Sequence, residues 1–421
     1  MHLIFITSPF RVGSGVAERI VLELIRRLIR MNVEITVLQP GDKINFYTTS
    51  VGINVYEHPS PSFRGKKLES LIIYANTWKY VGSLTNKILD MLRERNDVII
   101  VSTRFYNILP LVLEKKVVSK YPLVIYELNH YPWVEDVGYF YYSLGRRFLS
   151  VLDRSLLIKI AGLVLEKATK VVAVSNTIKR WIEDTVPAAS GKITVIYNPV
   201  DTTLFSPDAN GRVLAEKLSL EGRRVVLHVG TDHLVIRKGL HYAIKTLAKL
   251  PKDVALVVTG YRHVPSINKI YMNYIMHLIS KYQLRDRVYF VGWVPYKELA
   301  RYFNISKLLL YPTIQEGFGV PIIEAMASAR PVVGFDIPPV NELVENGRTG
   351  ILVQLGNVEK LAEAVRIILD DESLWEKMCI SAREEAVKRF SIDEIVHAHL
   401  KLYEEIASIS FNLNSDILKT Y

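Results

Sequence analysis

Two glutamates eight positions apart, Glu316 and Glu324, flank the run Tyr311-Pro-Thr-Ile-Gln-Glu-Gly-Phe-Gly-Val-Pro-Ile-Ile-Glu324. An apolar strand ends near Pro312 and a helix starts near Val320 or Pro321, where proline's missing N–H costs nothing. Between them, Gly317 and Gly319 let the backbone amides around Phe318 approach a ligand closely, and the helix start favours an anion. Glu316 precedes the helix and Glu324 lies about one turn inside it, so both carboxylates are placed to accept hydrogen bonds from hydroxyl groups of one ligand. Taken alone, they are equally well explained as acidic residues near a helix N-terminus, which the helix dipole favours.

Three further loops follow strands. Val229-Gly-Thr231-Asp-His-Leu-Val-Ile-Arg237-Lys238-Gly239 ends in two cations. Pro9-Phe-Arg-Val-Gly13-Ser-Gly15-Val-Ala-Glu18 is a glycine-containing turn after the first strand, a phosphate loop or simply a tight turn. Leu123-Val-Ile-Tyr-Glu127-Leu-Asn-His130 ends another strand and offers His130, with Glu127 as its rival, although a single loop histidine is more often structural. There is no Asp-x-Asp triplet and no ligand spacing for a metal, no Gly-x-Ser-x-Gly elbow and no Walker loop.

The elements that must position these loops alternate throughout the chain. Short β-branched runs are followed by amphipathic stretches, the pattern of parallel sheets with crossover helices. Strands are predicted at Leu3–Ser8, Val33–Leu38, Ile53–Glu57, Val98–Ser102, Leu123–Glu127, Val171–Ser175 and Ile193–Tyr197. The pattern restarts at Arg224–Gly230 and continues at Ala255–Thr259, Val288–Val291, Leu308–Pro312, Val332–Phe335 and Ile351–Val353. A chain of 421 residues exceeds the roughly 250–300 at which one core divides. The proline-bearing Asn198–Pro207 segment marks the junction, giving domains at 1–200 and 201–390, with 391–421 a helix and tail returning to the first. That helix is expected to end near Ser408, with Phe411–Tyr421 frayed.

The segment around Glu316 and Glu324 resembles the Glu-x7-Glu signature of family 4 retaining glycosyltransferases. Its flanks match as well: Val288–Gly292 and Leu308–Pro312 before it, Ala325-Met326-Ala327, Pro331-Val332-Val333, Glu342, Gly347 and Gly350 after it. The resemblance covers most of the chain and is most specific from 224 to 365. It implies a GT-B fold, α/β, with two Rossmann-like parallel-sheet domains facing a central cleft, the second holding a nucleotide-sugar donor and the first the acceptor. By position it makes Glu316 the ligand of donor-sugar hydroxyls and Glu324 the ligand of the ribose hydroxyls. The amides of Gly317, Phe318 and Gly319 would approach the sugar and diphosphate. Lys238 would stabilise the charge on the departing diphosphate, with Arg237 beside it, and His130 would lie near the reacting sugar. The sequence departs from the family where Thr231 stands for the usual arginine, where Gly15-Val16 replaces a Gly-Gly pair, and at Pro199 and Ala329.

Among the implied activities, transfer of a hexose from a UDP- or GDP-sugar onto a glycan or lipid-linked acceptor leads, with retention, without metal and without a cofactor beyond the donor itself. A soluble sucrose-, starch- or trehalose-type synthase and a non-catalytic nucleotide-sugar-binding scaffold remain alternatives. The net charge of +10 is lopsided. Residues 1–200 carry 26 Lys and Arg against 17 Asp and Glu, whereas residues 201–421 carry 27 against 26. With no groove-reading motif, nucleic acid is not the expected partner. An anionic membrane surface or a phosphate-bearing acceptor fits a one-sided bias better. The stretch 143–167 is a basic, aromatic-led helix candidate, and Arg64, Lys66, Lys67 and Lys79 lie among aromatics, a composition suited to interfacial contact. An ordinary polar surface on a helix packed against the sheet explains both equally well. Met1–Ile6 reads as a strand rather than a leader, and the single cysteine, Cys379, suits a reducing compartment. A cytoplasmic protein, peripheral at the inner membrane face, is therefore the expected location.

Overall fold

The computed structural model describes residues 1–7, 16–41, 45–50, 52–59, 92, 95, 97–103, 108–113, 117, 120–127, 158–230, 236–260 and 269–418. They form two compact units. One contains the described residues up to Tyr197 together with those from Asp393 onward; the other runs from Asn198 to Ile392.

The first unit is built on an eight-stranded sheet: β1 (His2–Ile6), β2 (Glu34–Gly41), β3 (Asn45–Thr48), β4 (Asn54–Pro59), β5 (Val98–Ser102), β6 (Leu123–Glu127), β7 (Lys170–Ala173) and β8 (Ile193–Val195). Its order is β3-β4-β2-β1-β5-β6-β7-β8. All neighbours are parallel except β3, which pairs antiparallel with β4 at the edge. β1 and β5 are buried along their whole length, as strands covered on both faces must be. The C-terminal helix Ile392–Leu418 belongs to this unit from Asp393 on: Asp393 accepts from Arg27 at 2.6 Å, and the buried His399 ring meets Tyr126 of β6 edge-on at 4.8 Å. This helix runs ten residues past the expected stop at Ser408, to Leu418. Residues 409–418 contain neither glycine nor proline, so nothing in the chain interrupts the backbone hydrogen bonds there.

The second unit has a six-stranded, wholly parallel sheet of β9 (Arg224–Val229), β10 (Val254–Thr259), β11 (Val288–Gly292), β12 (Leu308–Tyr311), β13 (Val332–Phe335) and β14 (Gly350–Val353). The order β11-β10-β9-β12-β13-β14 is that of a Rossmann sheet, whose direction of winding reverses between β9 and β12. β10 and β12 are fully buried. The connector that opens this unit is pinned by Arg383 of the helix Glu372–Phe390, which donates to Phe205 O at 2.7 Å and Thr202 O at 3.0 Å. Val200 also bridges to Ser391.

Candidate active site

In an open parallel sheet, the loops leaving two strands on either side of the winding reversal diverge and leave room for a ligand beyond their carboxyl ends. β9 and β12 are those strands here, paired at Leu308↔Val226 and Leu309↔Leu227. The loop after β9 ends in a single 3-10 turn, Ile236–Lys238, and the loop after β12 leads into the helix Val320–Ala327.

The two loops are bonded to each other. Ile314 N–H donates to Arg237 O at 2.8 Å, and the Thr313 hydroxyl reaches the same carbonyl at 2.8 Å. Gly239 permits the approach: its φ is +74°, and a Cβ there would sit 1.8 Å from Pro312 O. No residue with a side chain fits that gap.

The approach brings Arg237, Lys238 and Glu316 together. Lys238 Nζ donates to Glu316 Oε1 and to the Tyr311 hydroxyl, the latter at 2.6 Å. Arg237 Nη1 reaches the same Oε1 at 3.2 Å, and Tyr311 donates its proton to it at 2.7 Å. The Thr313 hydroxyl lies 3.2 Å away. Glu316 and Lys238 are each 5% exposed, so this is an internal ion cluster rather than a surface pair. Four donors, from Lys238, Arg237, Tyr311 and Thr313, meet on Oε1, and among the described residues none is placed on Oε2.

Two cations on one carboxylate set its ionisation. Burial alone would raise the Glu316 carboxyl, but Lys238, Arg237 and the bond from Tyr311 outweigh it and hold the carboxyl down at about 2. Burial draws Lys238 down to about 8 against the pull of Glu316, with Arg237 adding repulsion. His228 of β9 is fully buried and donates from Nδ1 to Leu310 O at 3.2 Å. Burial lowers it to about 4, leaving it neutral beside Lys238.

Glu324, 3% exposed, sits inside the helix that begins one residue after Gly319, and its charge is felt at Tyr311. Gly319 caps that helix at φ 104°, with Pro321 in its first turn. Phe318 turns its ring inward against Phe390, with centroids 6.3 Å apart, which anchors the loop through its side chain. Gly317 lies between Glu316 and this anchor. Of the other predicted site residues, Gly13, Gly15, His130 and Thr231 lie outside the described residues. Glu127 closes β6 of the first unit. Of the membrane-face candidates, Arg64, Lys66, Lys67 and Lys79 also lie outside them; from the stretch 143–167 only 158–167 is described, a helix with Ala161, Val164 and Leu165 buried.

The sequence reading did not assign Tyr311 or Thr313. Their signal was a pair of hydroxyl-bearing residues at the carboxyl end of a buried strand, five and three positions before the glutamate. Among the described residues, no group of three His, Cys, Asp or Glu side chains gathers as for a metal ion, and no helix is long and apolar enough to cross a membrane.

Residues 17–204 match the family model described as Glycosyltransferase Family 4, and residues 213–386 match that of Glycosyl transferases group 1. The chain belongs to the family 4 glycosyltransferases. Its fold is GT-B, α/β with two Rossmann-like domains. HepE from Anabaena, solved with UDP and glucose, superposes on the family 4 chain with a TM-score of 0.71 at 20% identity, over 96% of this chain and all of that one. Sucrose-phosphate synthase from Thermosynechococcus elongatus superposes with a TM-score of 0.79 at 18% identity, over 97% and 100%. Alpha-D-kanosaminyltransferase of Streptomyces kanamyceticus is 30% identical over 203 residues, 47% of this chain and 50% of that protein. Matches to the first curated relatives thus span between half and about two thirds of those proteins' own lengths.

Proposed function

We propose that the chain is a retaining, metal-independent hexosyltransferase. It moves a sugar from a UDP- or GDP-sugar held by the second unit to a glycan or lipid-linked acceptor held by the first. The observation that carries this reading is the polarity of Glu316. Lys238, Arg237 and Tyr311 all bond to Oε1 and fix the carboxylate in its ionised form, while Oε2 carries none of their protons. A buried, ionised oxygen left over in this way suits a sugar hydroxyl, since hydrogen bonds to charged acceptors are the stronger kind. Lys238 has three N–H donors and uses two within the cluster. The third, with the Arg237 guanidinium, meets the diphosphate as negative charge builds on it, and the start of the helix Val320–Ala327 adds its dipole. Glu324 takes the ribose hydroxyls.

In this reading Glu316 Oε2 holds a sugar hydroxyl and does not attack the anomeric carbon, and the family resemblance favours retention by front-face attack. The bond from the anomeric carbon to the phosphate oxygen breaks as the acceptor oxygen bonds on the same face, and the acceptor's proton passes to the departing phosphate. Fixed cations take the place a metal ion would fill at the leaving group.

A thermal-shift panel of UDP, GDP and their sugars tests the donor, beginning with UDP-glucose because HepE was solved with UDP and glucose. At a hundredfold excess over Kd a bound nucleotide adds about 2.7 kcal/mol, roughly 5–10 °C for a unit of this size. Transfer assays on Glu316→Ala and Lys238→Ala then test the site: both are expected to lose turnover while folded, and near-wild-type turnover in both overturns the assignment.

A further inference from the structure

The strands of the second unit have two ends, and only the carboxyl ends carry the cluster around Glu316. At the amino ends, where β9 and β13 begin, lies a cavity of about 350 Å³, inside the usual range for small-molecule sites. A six-residue strand separates the two ends by roughly 20 Å. Three arginines line the cavity, Arg212, Arg223 and Arg330, and among the described residues no acidic side chain does.

Arg330 is held rigidly. Its Nε donates to Phe303 O at 3.0 Å, Nη1 to Ala329 O at 3.1 Å, and Nη2 to both Asn304 O and Asn304 Oδ1 at 3.2 Å. All of these acceptors are neutral, so its positive charge is oriented but not cancelled. Cys379 beside it does not supply the missing charge, because burial pushes the thiol up to about 11. Arg223, half-buried at the start of β9, has no hydrogen bond or ion pair for its side chain among the described residues. Arg212 stands at the mouth, 86% exposed, and engages Glu216 through Nε at 3.1 Å.

We propose that this cavity binds a small soluble phosphomonoester, such as a sugar phosphate, at a site separate from the donor's. The planar guanidinium fork pairs with phosphate through two parallel hydrogen bonds, and Arg223 and Arg212 both have donors to give. Arg330 supplies a fixed field behind them. A ligand there would also touch Pro207 and so bear on the connector that opens this unit.

The test is isothermal titration of the full chain with glucose 1-phosphate, and with inorganic phosphate, in the presence of saturating UDP or GDP so that the donor site is filled. Binding is expected to persist under the nucleotide and in Lys238→Ala. It should weaken about tenfold or more in Arg223→Ala and vanish in the Arg212→Ala/Arg223→Ala double variant. Both arginines lie at the surface, and an unchanged melting midpoint checks that the variants fold. Equal affinity in wild type and Arg223→Ala, displacement of all phosphate by nucleotide, or no binding at millimolar concentration would each overturn the proposal. Arg223-dependent sedimentation with phosphatidic acid vesicles, without binding of either soluble phosphate, would assign the anion to lipid and overturn it too.

Discussion

Glu316→Gln keeps the shape of the cluster and removes its negative charge. Depression of the carboxyl from 4.5 to about 2 corresponds to about 3 kcal/mol of preference for the ionised form, at about 1.4 kcal/mol per tenfold change. A similar figure follows from the partners: breaking a buried pair on one side costs about 3–5 kcal/mol because the other charge is stranded. Here Lys238 and Arg237 would face each other with only neutral oxygens between them, those of the new amide, Tyr311 and Thr313. For a unit of this size, the loss lowers the melting midpoint by roughly 6–12 °C. The pH dependence separates this cause from a loss of packing. A depressed carboxyl contributes fully above its unfolded pKa of 4.5 and progressively less as pH falls toward about 2. The gap between wild type and Glu316→Gln should therefore be widest near pH 6–7 and narrow below about pH 4.5. Scanning calorimetry on both proteins across that range is the assay. A variant melting within a degree or two of wild type at pH 7, or a gap that does not change with pH, would refute the ion-cluster reasoning.

Lys238 gives a second test at the other end of the pH scale. Because burial lowers it to about 8, transfer should fall as pH rises through that value and the cation at the diphosphate is lost. In Lys238→Arg the side chain stays protonated, so whatever rate remains should lack that basic limb; a limb still at pH 8 assigns it elsewhere. Gly239→Ala should cost roughly 2–5 kcal/mol, combining a positive φ with a Cβ 1.8 Å from Pro312 O. Gly347→Ala, at φ +81° with nothing within 4 Å, is the matched control and should cost about 1–2 kcal/mol. Equal midpoints for the two alanine variants would remove the close approach as the reason Gly239 is there.

The second sheet was legible because burial on both faces leaves a plain trace. Val254-Ala-Leu-Val-Val258 has no polar residue to interrupt it, and Leu308-Leu-Leu-Tyr311 is as fully buried. β3 was missed for the opposite reason. It is a four-residue edge strand with Phe46 and Tyr47 exposed, paired on one side only, so neither alternation nor a buried run marks it. The end of the last helix was misplaced because the stop signals are weak: fraying was expected from Phe411, yet the helix continues to Leu418.

The candidate site was legible to a different degree at each residue. Glu316 and Glu324 are visible because a carboxylate eight positions from another, across glycines, is unusual in an otherwise apolar stretch. That Lys238 would reach Glu316 was not, since 78 residues separate them and no local pattern encodes the contact. What joins them is the strand order: β9 and β12 are neighbours only because the sheet winds outward in one direction and then in the other. Tyr311 is the last residue of β12 and wholly buried, so its hydroxyl has to find partners inside the protein. It does so by accepting from Lys238 and donating to Glu316, which turns a pair of opposite charges into an oriented network. A tyrosine in a buried strand reads from sequence as core, and its ring is core. Only the position of its oxygen, at the end where the two loops part, makes it a member of the site.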